Sequence, residues 1–135
     1  MKHILAPILL LTLLFPSLAF GETMEDLVIR DGLFYKKFSD VPFTGKVTGE
    51  EQGKFRKGKK HGPWVEYWSS GQLRSKWTYI NGKEDGPFVG YYKNGQLEEK
   101  VTYKDGKQHG PWVRYHDNGQ LRWKGTYRNG RFISD

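Results

Sequence analysis

The feature that most constrains this chain is a pattern of 24 residues written three times. Gly62, Pro63 and Trp64 return as Gly86, Pro87 and Phe88, and again as Gly110, Pro111 and Trp112. Gly71, Gln72 and Leu73 return as Gly95, Gln96 and Leu97, then as Gly119, Gln120 and Leu121. Each copy closes on a tyrosine: Tyr79, Tyr103 or Tyr127. Gly58, Gly82, Gly106 and Gly130 mark the joints. A unit this short cannot bury an apolar face alone, so self-similarity at a fixed period means that the units stack on one another.

Inside one copy, Trp64 to Trp68 and Leu73 to Tyr79 are rich in aromatic and β-branched residues. Ser69-Ser70-Gly71-Gln72 separates them and Ile80-Asn81-Gly82-Lys83 follows. Such runs bounded by turn signals read as paired strands. Asn-Gly recurs at 81 and 82, 94 and 95, 118 and 119, and 129 and 130, with Asp-Gly at 31 and 32 and at 105 and 106. These pairs accept positive φ and suit tight hairpin turns. With 17 Gly, 36% apolar residues and no run of strong helix formers beyond residue 30, the composition agrees. The expected fold is all-β, an elongated single-sheet meander of stacked antiparallel β-hairpins. At about 4.8 Å per strand, matching residues of successive copies lie about 10 Å apart and the repeats span about 40 Å. No cysteine is present, so cohesion has to come from stacking rather than from disulfides or thiolate metal sites.

The chain divides into three parts. Residues 1–21 have a short basic start (Lys2, His3), an apolar run from Ile4 to Phe15 and small residues near the end, the layout of a helical secretory signal peptide. Cleavage after Ala19 and cleavage after Gly21 both stay open. The apolar run is shorter than the roughly 20 residues of a spanning helix, so the expected destination is the periplasm or the exterior. Residues 22–57 begin with an acidic stretch, Glu22 to Asp26, that is expected to fray. A hairpin follows, Leu27 to Arg30 and Leu33 to Lys37 about Asp31-Gly32, expected to cap the sheet, and then a degenerate repeat from Pro42-Phe43. Residues 58–135 hold the full copies 58–81, 82–105 and 106–129 and a C-terminal tail.

Alternation along a strand separates two faces. One carries Trp64, Trp68, Leu73, Trp77 and Tyr79, with the counterparts Phe88, Tyr92, Leu97, Val101, Tyr103 and Trp112, His116, Leu121, Gly125, Tyr127. This is the side expected to be buried. The other carries Val65, Tyr67, Lys76 and Thr78 and their counterparts. Lys76, Lys100 and Lys124, beside Arg74 and Arg122, therefore read as a basic stripe, interrupted by Glu98. The formal net charge is +7, or +6 without a leader that carries Lys2 and no acid. Such a balance is compatible with an anionic partner.

Catalytic chemistry finds no foothold. His61 and His109 hold the same repeat position, where the middle copy has Asp85, and in a regular stack lie about 20 Å apart, too far to share a metal. Glu50-Glu51 and Glu98-Glu99 are adjacent, which in a regular strand points each pair to opposite faces rather than across a cleft. Ser69-Ser70 fills a turn. The Gly-Lys pairs at 58, 82 and 106 lack the following Ser or Thr of a phosphate loop. No catalytic residue, metal site or cofactor is expected, and the chain does not read as an enzyme.

The string GKxxGPWxxYYxNGQLxxxxxYxNG, carried by Gly58 to Gly82, Gly82 to Gly106 and Gly106 to Gly130, resembles the MORN repeat variant family. Bacterial members of that family are often grouped as YwqK-type antitoxins. The resemblance implies β-hairpins in an open sheet and association with proteins or membrane phospholipids. The leading functional expectation is a non-enzymatic exported module that mediates protein–protein interaction in the cell envelope. Two others stand beside it: an antitoxin or immunity-like protein that neutralises a toxin, and a binder of anionic phospholipid or glycan through the lysine stripe. Export sits badly with neutralising a cytosolic toxin and with nucleic-acid binding. After Arg128 only Phe132-Ile133 supplies apolar cover, so the last strand leaves an edge at which copies can self-associate.

Overall fold

The structure is a computed structural model that describes residues 21–135; the leader and its expected helix, residues 1–20, lie outside the described residues. The elements in order are β1 (Glu22–Thr23), a 3-10 turn (Met24–Asp26), β2 (Leu27–Arg30), β3 (Leu33–Lys36), β4 (Gly45–Thr48), β5 (Glu51–Arg56), β6 (Lys59–Tyr67) and β7 (Leu73–Ile80). They continue as β8 (Lys83–Glu84), β9 (Gly86–Tyr91), β10 (Leu97–Lys104), β11 (Lys107–Tyr115), β12 (Leu121–Arg128) and β13 (Arg131–Ser134). From β4 to β13 neighbouring strands pair antiparallel in one sheet, as the repeat requires. β8 and β9 both pair with β7 and are two pieces of one strand interrupted at Asp85.

The N-terminal region departs from a pure meander. β1 runs parallel to β4, with Glu22 opposite Val47, and β2 and β3 form a separate hairpin. The acidic start is not frayed. Thr23 donates to Asp26 Oδ2 from both its backbone N, at 2.7 Å, and its hydroxyl, at 2.9 Å, which holds the Asp26 carboxyl below the usual range. Lys36 pairs with Glu22.

Turns of two kinds alternate. Asn81 and Gly82 have φ of 48° and 84°, a type I′ turn whose twist matches that of the flanking strands, and Asp31-Gly32, Lys57-Gly58, Asp105-Gly106 and Asn129-Gly130 repeat it. The other turn is longer. Gly71 N donates to Trp68 O and Trp68 N to Gln72 O, and the same bonds recur from Tyr92 to Gln96 and from His116 to Gln120. There only the glycine takes positive φ. Asn94 and Asn118 instead use their side-chain oxygens to accept from Gln96 N and Gln120 N at 3.0 Å, as Ser70 does from Gln72 N at 3.5 Å. Asn-Gly therefore plays two different parts in one repeat.

Each copy also carries a bulge that the alternation rule does not foresee. The register passes from Glu66 opposite Ser75 to Tyr67 opposite Leu73, so Arg74 is an extra residue, and Glu98 and Arg122 are its counterparts. Directly opposed residues share a face. Leu73, Leu97 and Leu121 thus lie with Tyr67, Tyr91 and Tyr115 on the lysine side, not on the aromatic side expected for them.

The buried core gathers at the N-terminal end of the sheet: Leu27, Phe43, Val47, Phe55 and Trp64, with Phe34, Trp77 and Tyr79 packed against them. The β2–β3 hairpin covers the aromatic face here, held by Phe34 N to Gly58 O at 2.9 Å and Phe43 N to Phe34 O at 2.8 Å. The rings contact in sequence, Phe34 to Phe55 at 4.7 Å, Phe55 to Trp64 at 5.0 Å and Trp77 to Phe88 at 4.0 Å. After Val101 a second cluster begins, Trp112, Trp123, Tyr127 and Phe132, over which no hairpin of the described residues lies. Exposure rises from 1% at Trp64 to 50% at Phe132.

Candidate interaction surfaces

The register turns the basic stripe into a defined row. Val65, Lys76, Val89, Lys100, Val113 and Lys124 are successive cross-strand partners. The three lysines are exposed, and the ion pairs among the described residues leave them free. Successive charges lie about 10 Å apart. Arg74 and Arg122 are not part of this row, because the bulge turns them to the opposite face. The Arg74 guanidinium lies 4.6 Å over the ring of Trp68, which Lys93 approaches at 5.2 Å.

The aromatic face carries a second row that the sequence reading passed over: Glu66, Ser75, Gly90, Glu99, Arg114 and Trp123. Its members are bonded to the rings beside them. Trp77 Nε1 donates to Ser75 Oγ at 3.1 Å, which donates to Glu66 Oε2 at 2.9 Å, and Trp112 Nε1 donates to Glu99 Oε2 at 2.8 Å. Arg114 reaches Glu98 at 3.5 Å and Glu99 at 3.7 Å. Adjacent glutamates expected on opposite faces are thus brought to one guanidinium, again because Glu98 is the bulge residue. The available signal was difference rather than likeness: position 66, 90, 114 reads Glu, Gly, Arg, and position 75, 99, 123 reads Ser, Glu, Trp.

His61 and His109 brace turns. His61 Nδ1 accepts from Asn81 N at 3.2 Å, and His109 Nδ1 from Asn129 N at 3.4 Å. Asp85 does the same for Asp105 N at 3.1 Å, which explains how Asp replaces His in the middle copy. Among the described residues no group of three or more His, Asp or Glu is placed to hold a metal ion. Burial, reinforced by Glu84, Glu66 and Glu51, pushes the Tyr79 phenol up to about 12, and burial also raises Tyr103 against the opposing bond from Gln108. Both move away from neutrality, the wrong direction for an acid–base group at pH 7. Among the described residues no helix is long and apolar enough to cross a membrane.

A model of the MORN repeat variant family matches residues 60–81, 84–105 and 108–129. Three tandem units of this chain are MORN repeat variants. No curated protein and no solved structure matches the chain. Each MORN unit begins within β6, β8 or β11 and ends on Asn81, Asp105 or Asn129, the first residue of a type I′ turn. One unit is therefore a hairpin together with half of the turn that leads out of it. The residues shared by the units, Trp64, Phe88 and Trp112 with the closing tyrosines, face the aromatic side. The residues that differ between units form the polar row along that same side.

Proposed function

We propose that this chain is a non-enzymatic interaction module that docks a protein partner on the uncovered C-terminal half of its aromatic face, acting in the cell envelope after export. The observation that carries the reading is the contrast between the two ends of one face. The first end is sealed by the β2–β3 hairpin, whereas among the described residues no hairpin lies over the half-buried Trp112, Trp123 and Tyr127 or the exposed Phe132. Exposed aromatic clusters rimmed by polar groups mark interaction sites. Arg114 and Glu99 supply that rim. Toxin neutralisation would use the same surface, with the toxin as the partner.

A second reading has its own support. The unpaired row of Lys76, Lys100 and Lys124, alternating with valines, suits an anionic lipid surface or acidic glycan. The two are separated by capture of the tagged chain on envelope extract at two salt concentrations. A stoichiometric protein lost on Phe132→Asp and retained on charge reversal of the three lysines supports docking. Loss at high salt and on lysine reversal, with Phe132→Asp unaffected, supports the anionic reading and sinks the first.

A further inference from the structure

The polar row on the aromatic face has one gap. Where the flanking copies place Glu66 and Arg114, the middle copy has Gly90, between its strand partners Ser75 and Glu99. A hollow of about 220 Å³ opens there. Trp77 and Phe88, with ring centroids 4.0 Å apart, line it together with Trp68. Glu66, Glu98 and Arg74 supply polar lining.

We propose that this hollow is a glycan subsite, taking one pyranose ring against Trp77 with its hydroxyls on the surrounding carboxylates and the Arg74 guanidinium. A sugar presents an apolar C–H face and a rim of hydroxyls that both donate and accept, and this lining offers an aromatic surface, acceptors and a donor within one ring's reach. The carboxylates are already committed: Glu66 to Ser75, and Glu98 and Glu99 to Arg114. Arg74 lines the same hollow as Glu66, so a cationic side chain meets charge of both signs there, whereas a neutral polyol needs only the remaining lone pairs. The bonds Trp77 to Ser75 to Glu66 hold the site in place without ligand, which lowers the ordering cost of binding. The subsite meets the docking surface at Glu99, but Gly90→Arg and Phe132→Asp lie on different sides of that residue, so either assignment can fail alone.

The test is titration of the isotope-labelled full chain with glucose, N-acetylglucosamine, cellotriose and chitotriose, followed by backbone and indole shifts. Expected are saturable shifts at Gly90 and the Trp77 indole with at least one sugar, weakened about tenfold or more by Gly90→Arg. That substitution places in the gap the residue type that the third copy carries at 114, opposite the same Glu99. φ at Gly90 is not positive, so the backbone accepts a side chain, and its Cβ, 3.1 Å from Phe88 Cζ, requires that ring to give by a few tenths of an ångström. Circular dichroism confirms the variant's fold, and if it fails, the double substitution Glu66→Gln with Arg74→Gln carries the same expectation. The subsite is overturned if none of these sugars gives a saturable shift. It is equally overturned if the shifts survive substitution, or if the Trp123 indole responds as strongly as that of Trp77.

Discussion

The indole of Trp64 lies against the backbone of Gly53 so closely that a Cβ on residue 53 would come within 2.3 Å of ring atoms Cδ2 and Cε2. The same ring is 1% exposed, donates to Lys54 O at 3.2 Å and carries the Lys60 ammonium 4.2 Å above its face. It is thus fixed on every side. Gly53→Ala overpacks this contact and is expected to destabilise the chain by about 1–3 kcal/mol. Urea unfolding measures it, and a loss under about 0.5 kcal/mol would mean that the ring can slide away from the strand.

Trp68 differs from Trp64 in one respect that decides its cost of replacement. Its Nε1 is buried with no hydrogen-bond partner, and its ring has Arg74 at 4.6 Å and Lys93 at 5.2 Å from its centre. Trp68→Phe removes an unsatisfied donor while keeping a face for both cations, so it is expected to stay within about 1 kcal/mol of the parent. Trp64→Phe also forfeits the bond to Lys54 O and leaves a void in the core, and is expected to cost about 2 kcal/mol more. Equal losses in parallel urea titrations would show that the Trp68 indole does have a partner.

The repeat made the architecture legible before any coordinates, because glycine at positive φ and aromatic residues at a fixed interval leave few alternatives to stacked hairpins. What alternation could not reveal is where it breaks. Arg74, Glu98 and Arg122 look like ordinary strand residues, yet as extra residues they reverse the side on which Leu73, Leu97 and Leu121 fall. The lysine row survived because Lys76, Lys100 and Lys124 lie beyond the bulge, in register with valines. Trp123 and Arg114 escaped notice because a search for what recurs discards what varies. The cover over Trp64 was hidden for another reason: the hairpin of Leu27 and Phe34 folds across the face instead of joining the sheet edge, a tertiary choice with no local signature.

Alkaline pH should weaken the seam between the first two copies. The Tyr79 phenol is pushed up to about 12 from the ordinary 10.0, chiefly by burial and then by Glu84, Glu66 and Glu51. As pH rises, the unfolded chain releases this proton first and binds fewer protons than the folded one, so stability falls with pH. The contribution is fully present below pH 10 and is lost between about 10 and 12. Tyr103 is raised in the same direction, again by burial first. Melting temperatures followed across this window should decline less steeply in Tyr79→Phe; an unchanged slope would assign the decline to other groups.

The turn braces offer a substitution that the protein has already made for itself. His61 and His109 each accept from the first amide of the next type I′ turn, and Asp85 does so from the same position in the middle copy. If the acceptor is what matters, His61→Asp should leave stability nearly unchanged. His61→Ala strips the Asn81 amide of its partner and is expected to cost about 1 kcal/mol, less where water replaces it. Hydrogen exchange gives the sharper reading, because the amide concerned is known: protection at Asn81 should fall in the alanine variant and persist in the aspartate one. Were both variants to lose protection equally, the imidazole would be acting through packing against the turn, and the equivalence of His61 with Asp85 would be one of position only.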